Sequence, residues 1–181
     1  MEWETVREGN LPIERHAGLA ELLRAAYPHF PGFFAGSRSW SYVRPELRVV
    51  GRSTRDDAHA GVLRRFVEIE GRDHLVGIVG LVAVRPELQR SGTGLELMKT
   101  VAAALHSLGV AHGLLMCAPR HVPFYQRAGW RRLSPRRVRY SPDDTADPRP
   151  VVDEVSTTTL VLPVAAEEWP EGTIHWHGAS V

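Results

Sequence analysis

Gln89-Arg90-Ser91-Gly92-Thr93-Gly94 is a turn with two glycines that runs directly into an apolar helical stripe. Ahead of it, Leu81-Val82-Ala83-Val84 reads as an apolar strand end and Arg85-Pro86-Glu87 breaks that strand. A helix N-terminus exposes backbone N–H groups and the positive end of the macrodipole, and glycines let an anion come close to both. A phosphate or pyrophosphate is the ligand that such a turn favours. The turn is not a Walker loop, because no Gly-Lys-Ser/Thr follows. It is not a dinucleotide fingerprint either, which would need a third glycine at Leu97. Taken alone the pattern is weak, since glycines also serve simply to make a tight connection.

The elements around the turn alternate between helical and strand periods. Residues 16–27 carry Leu19, Leu22, Leu23 and Ala26 at helical spacing, and Pro28 ends them. A loop rich in Gly, Pro and aromatics follows over 28–40, of a kind that covers a site or bridges an edge. Residues 47–50 are a short strand. Runs at 59–69 and 74–84 flank EGRD, so they predict an antiparallel hairpin centred on Gly71. Leu95, Met98, Val101, Ala102, Leu105 and Leu108 mark the expected buried face of the helix after the turn. Beyond it come a strand at 113–117, a short helix around 122–128, and strand-like runs at 130–138 and 155–164. The Pro/Asp-rich segment at 141–150 reads as an exposed loop. Together these predict an α+β fold: a single domain over 1–181 with one mixed central β-sheet flanked by helices.

Bulk properties narrow the function classes. A chain of 181 residues buries one core and is too short for two ordinary domains. Net charge is +1, so there is no global basic field for nucleic acid, and an anionic ligand must be met locally. The lone Cys117 cannot form an internal disulfide and suits a reducing compartment. It reads as a buried strand residue, not a nucleophile. No apolar run has the length of a membrane span, and the N-terminus lacks a basic region followed by an apolar one. A cytoplasmic protein with no membrane partner is expected. No Cys/His spacing suggests a metal site.

With the turn placed between strand and helix, a resemblance becomes specific. Residues 89–94 match the Gln/Arg-x-x-Gly-x-Gly/Ala signature of the GCN5-related N-acetyltransferases, and Phe124-Tyr125-Gln126-Arg127-Ala128-Gly129-Trp130 resembles that family's second, FYxxxGF, segment. The likeness covers roughly residues 75–133. It implies acetyl-CoA as acyl donor. Backbone groups of Val82, Ala83 and Val84 would lie along the pantetheine arm, and the turn at Gln89, Arg90, Ser91, Gly92, Thr93 and Gly94 would hold the pyrophosphate. Aminolysis of a thioester expels a thiolate, and a phenol beside the sulfur can protonate it, so the resemblance makes Tyr125 the general acid. Tyr125 could otherwise be a packed aromatic on a short helix. Strand-end N–H groups at 82–84 would polarise the thioester carbonyl. Direct attack in a ternary complex follows, without metal or acyl-enzyme.

Outside those motifs, Arg38-Ser39-Trp40, Arg44-Pro45-Glu46-Leu47-Arg48, the segment from His59 to Phe66, Val84-Arg85-Pro86 and the segment from Glu168 to Thr173 resemble the NodA-type nodulation N-acyltransferases, which acylate the free amine of a glucosamine unit. The same frame is similar to the aminoglycoside 2'-N-acetyltransferases. The complete FYQRAGW segment favours the second branch, so the expected acceptor is an amine of an amino-sugar antibiotic of the kasugamycin kind, acetylated for resistance or self-protection. A longer acyl chain, drawn from CoA or acyl carrier protein through a channel lined by Phe30, Phe33 and Phe34, is the alternative. A non-catalytic acyl-CoA-binding module is a third reading.

Many enzymes of this kind carry a glutamate on the strand before the turn, but residues 74–84 hold no carboxylate. A base must come from elsewhere, or the amine arrives neutral. His59 is the candidate, since an imidazole with a pKa of about 6.5 can deprotonate an ammonium near neutrality. Glu68 and Glu70 read as solvated charges. For the acceptor, Arg38 and Trp40 in the aromatic loop and Glu168, Trp169, His175 and Trp176 in the tail, with His177 beside them, could line a sugar pocket. The tail could equally pack on the sheet edge. The basic run of Arg131, Arg132, Arg136, Arg137 and Arg139 reads as a solvated strand face. Strands near the C-terminus could pair across a homodimer.

Overall fold

The computed structural model describes residues 1–30, 32–141 and 151–179. Of the loop expected at 141–150, Ser141 is strand and residues 142–150 lie outside the described residues. The chain forms two compact units, one of Met1–Leu63 with Val79–Ala104 and the other of Arg64–Ile78 with Leu105–Val181. Two long strands of one hairpin, β3 (Asp56–Ile69) and β4 (Arg72–Val84), run through both. Glu70 and Gly71 between them both have positive φ, as a two-residue hairpin turn requires.

In the first unit β1 (Glu2–Arg7) pairs antiparallel with β2 (Leu47–Arg52), and β2 pairs antiparallel with the first half of β3. The expected helix is α1 (Ile13–Ala26), three residues longer at its start because Pro12 supplies an extended entry. Its buried stripe of Leu19, Leu22 and Leu23 faces the sheet. Leu22 and Leu23 join Phe34, Leu81 and Ala83, while Leu19 joins Leu11 and Val50. Each large aliphatic buried this fully contributes about 1.5–3 kcal/mol.

The strand β1 was not expected: EWETVR alternates charged residues with larger ones on a half-exposed edge and has no apolar run. After β4 the chain makes a short 3-10 turn at Pro86–Leu88 and enters α2 (Thr93–Ser107). The buried face of α2 is Leu97, Met98, Val101, Ala104, Leu105 and, just past its end, Leu108, whereas Leu95 is 41% exposed. The expected stripe is thereby corrected at its N-terminal end. Leu95 lies in the first turn, where it lines a cavity instead of the core.

In the second unit the first half of β4 pairs parallel with β5 (His112–Met116), Val76 opposite His112 and Ile78 opposite Leu114. A parallel pair needs a long crossover, which α2 supplies. The short helix α3 (Val122–Arg127) follows. The run at 130–138 splits into β6 (Arg131–Arg132) and β7 (Arg136–Ser141) around Ser134-Pro135, where proline has no N–H for a ladder. The run at 155–164 splits into β8 (Val152–Ser156) and β9 (Thr159–Pro163), because Ser156 Oγ accepts hydrogen bonds from Thr158 N–H and Thr159 Oγ1 and turns the chain. The last strand, β10 (Ile174–Ala179), pairs antiparallel with β3 and parallel with β7. The order is β6-β9-β5-β4-β3-β10-β7-β8, a mixed sheet in an α+β fold.

Candidate active site

The turn ahead of α2 has the backbone of an anion cradle. Arg90 adopts φ +63° and Gly92 φ +94°, so two left-handed residues shape the turn just before the helix, whose first N–H groups lack intrahelical partners. A Cβ at Gly92 would meet no heavy atom within 4 Å, which leaves the approach open. Ser91 Oγ donates to Leu88 O at 2.6 Å and lies 2.8 Å from Thr93 Oγ1, which holds the loop in shape without using the helix's leading amides. Leu95 and Glu96 N–H both point back to Gly92 O. The cradle opens on a cavity of about 360 Å³ lined by Met1, Trp3, Ser91, Gly92, Thr93, Leu95 and Glu96. Trp3, on the unexpected β1, is a site residue that sequence reasoning missed. Gly51 on the paired strand β2 makes room for it, since a Cβ there would fall 2.6 Å from the indole.

Upstream, β4 is the edge strand of the first unit and presents backbone. The Val82 carbonyl accepts a hydrogen bond from Tyr27 Oη at 2.7 Å, and the Val84 carbonyl accepts one from Gln89 Nε2 at 3.1 Å. Each carbonyl keeps a second lone pair that can accept from an amide N–H. Leu81 adopts φ +52°, an uncommon conformation for a leucine, which locally redirects the strand.

His59 is not placed as a base. It has no solvent exposure, its Nδ1 lies 2.8 Å from Leu81 O, and its Nε2 lies 3.1 Å from Arg48 Nη1. Burial foremost, then the Arg48 charge, push its pKa down to about 3. A guanidinium only donates, so Nε2 is the acceptor and the proton sits on Nδ1. Both nitrogens are engaged, and neither is offered to an incoming ammonium. A second imidazole of the first unit was overlooked. His16 on α1 is half-buried, its Nδ1 lies 2.8 Å from Ser39 Oγ, and burial lowers its pKa below the ordinary histidine value.

The expected acceptor residues are divided between the two units. Trp40 is half-buried against the α1 core, with His16 edge-on to its ring and the Arg44 guanidinium 4.0 Å above its face, so that face is covered. Arg38 is exposed and donates to Ser41 O at 2.7 Å. In the second unit Trp176 is a correction: at 1% exposure it is a core residue of β10, no platform for a ring. His175 on the same strand is half-buried and stacks on His177. Trp169 packs edge-on against His112 on β5, beside exposed Glu168, with two strands between β5 and β10.

Tyr125 is 8% exposed and packs between Phe124, at 4.9 Å between ring centroids, and Trp130, at 6.0 Å. The basic run is spent within the unit. Arg131 pairs with Glu167, Arg137 and Arg139 with Asp153, buried Arg136 reaches Pro170 O and Glu171, and Arg132 donates to Thr157 O. Burial raises the Cys117 thiol to about 11, so it carries little thiolate near neutrality. Among the described residues no helix is long and apolar enough to cross a membrane.

The architecture is that of the GCN5-related N-acetyltransferases. The chain resembles a member of that family from Escherichia coli solved in complex with CoA, at a TM-score of 0.64 and 16% identity over 98% of this chain and 91% of that one. It also resembles a GNAT family acetyltransferase from Brucella melitensis in complex with acetyl-CoA, at a TM-score of 0.60 and 16% identity over 96% and 94%. Identities so low speak for the fold alone.

The family follows from sequence. The family model for nodulation protein A matches residues 1–179, and the chain belongs to that family. Nodulation protein A of Bradyrhizobium sp. (strain ANU 289) is 38% identical over 96% of this chain and 88% of its own length. That of Mesorhizobium japonicum is 36% identical over 96% and 94%. These matches overturn the expected aminoglycoside acceptor. That choice rested on the segment from Phe124 to Trp130, which folds as a packing unit of α3 and thus reports on the fold, not on which amine is acylated.

Proposed function

We propose that the protein is an N-acyltransferase that moves an acyl chain from a pantetheine thioester to the free amine of an amino sugar. The observation that carries this reading is the open cradle at Gln89 to Gly94, joined to a backbone-presenting strand end, in a chain of the nodulation protein A family. The cradle suits the phosphate that both CoA and the prosthetic group of acyl carrier protein bear. Aromatic side chains of the first unit support a chain longer than acetyl. Phe30 is 53% exposed and stacks on Phe33, and Phe33 meets Tyr42 edge-on at 4.9 Å, which leaves an apolar surface beside Tyr27.

In this reading the turn amides hold phosphate, the carbonyls of Val82 and Val84 accept from the pantetheine amides, and N–H groups of the same strand end stabilise the oxyanion formed when the amine adds to the thioester carbonyl. By the resemblance of its segment to the acetyltransferase motif, Tyr125 is assigned the proton that the departing sulfur takes up. The amine enters neutral, or His16 accepts its proton.

The test is acyl transfer from donors of graded chain length, carried on CoA and on acyl carrier protein, to chitin oligomers with one free amine. N-acylated product with a long-chain donor on at least one carrier is expected, and the carrier that works identifies the source. Binding of CoA without transfer from any donor would leave a non-catalytic acyl-binding module and sink the proposal.

A further inference from the structure

Leu81 holds φ +52° in the middle of a strand, with its side chain buried among Leu22, Leu23, Phe34 and Ala83. A leucine persists in that conformation only where its surroundings over-determine it. The strongest candidate for doing so is a chain of polar groups, half-buried at Glu8 and fully buried at Arg48 and His59, that the reaction itself does not use. Glu8 grips the Arg48 guanidinium with both carboxylate oxygens, one contact being 3.1 Å. Arg48 has no exposure and also donates to Ser39 O at 2.9 Å. Its Nη1 donates to His59 Nε2, which fixes the proton on Nδ1 and aims that proton at Leu81 O, 2.8 Å away.

Burying a guanidinium and an imidazole is costly, and well-packed apolar side chains would stabilise a core at least as well. Stability therefore does not account for the arrangement, whereas geometry does. The chain ends on the carbonyl whose peptide plane sets the direction of the next N–H, that of Val82.

We propose that Glu8, Arg48 and His59 form a positioning relay that holds the left-handed kink at Leu81 and so aims the backbone N–H of Val82 at the acyl carbonyl. This rests on the acyltransferase reading above. His59 is a positioning residue in it and touches no reacting atom.

Two isosteric variants separate the relay from simple packing. In His59→Asn the side-chain amide nitrogen takes the place of Nδ1 and still donates to Leu81 O. In His59→Gln the amide reaches the place of Nε2, keeps a partner for Arg48, and leaves Leu81 O without its donor. A small misplacement of an oxyanion donor is costly to the rate, so kcat falls about tenfold or more in His59→Gln, with KM for both substrates within about twofold. His59→Asn retains roughly a third or more of kcat. Equal loss in the two variants, or unchanged kcat in His59→Gln, overturns the relay.

Backbone amide exchange at Val82 gives a readout independent of turnover. It should quicken in His59→Gln and stay near the parent rate in His59→Asn. If the parent protein transfers no acyl group at all, the acyltransferase reading fails by itself. Unaltered exchange in His59→Gln then still overturns the relay.

Discussion

The phenol of Tyr27, at the C-terminal cap of α1, donates to the carbonyl of Val82 at 2.7 Å. Burial raises the Tyr27 pKa well above its ordinary value, so the group is a proton donor at every working pH. The bond ties the end of the first helix to the strand end that faces the acyl donor in the proposed reading. Tyr27→Phe keeps the ring among Phe34 and its neighbours and removes only this bond. A loss of about 1 kcal/mol in urea unfolding is expected, with a larger rise in KM for the acyl donor than for the amine. An unchanged donor KM would mean that Val82 O takes no part in holding it.

The buried imidazole of His59 gives the protein an acid limb. Its pKa is about 3 in the folded chain and about 6.5 once unfolded. Between those values the unfolded chain binds more protons, so stability rises with pH through the window and is fully present above about 6.5. Lowering the pH from 7 to 5 removes about 2 kcal/mol through this residue alone. Urea midpoints at the two pH values measure the loss, and His59→Asn should show a clearly smaller one. An equal loss in the variant would assign the effect to His16, His112 and His121, whose pKa values burial also lowers.

The legible parts of this molecule are those whose signals are local. An apolar strand end, a Pro break, two glycines and a helical stripe occupy consecutive residues, and β4, the turn and α2 form there as expected. Glu70-Gly71 marked its hairpin for the same reason. What escaped depends on distant partners. β1 makes sense only once β2 pairs with it, and β10 hides a core tryptophan in a stretch that reads as an aromatic tail. The role of His59 turns on Arg48 and Glu8, 11 and 40 residues away along successive steps of the network, and no spacing in the chain connects them. Lone histidines are therefore poorly assigned from sequence, while the position of a turn between strand and helix is well assigned.

Tyr125 tests the chemistry of departure. Phenylalanine preserves the contacts with Phe124 and Trp130, so Tyr125→Phe should fold as the parent does. Loss of a positioned acid costs roughly a hundredfold in kcat, with KM values little changed. Single-turnover transfer under saturating donor reads the effect. A parent-like rate would assign the proton to water or another group.

The cavity beside the cradle separates the two carriers. It pairs the Trp3 ring with the Ser91–Thr93 backbone, a combination that suits a nucleotide base next to its phosphates, and acyl carrier protein has no such base. Trp3→Ala should raise the KM for acyl-CoA about tenfold while leaving that for acyl carrier protein within about twofold. Gly92→Ala acts on the shared part of the ligand. Its φ of +94° strains any residue with a Cβ, and the added methyl enters the open approach, so both donors should lose affinity alike. Donor titrations on the two variants, run side by side, distinguish a base-binding cavity from a phosphate cradle. Equal weakening of both carriers by Trp3→Ala would show that the indole supports the turn and does not read the nucleotide.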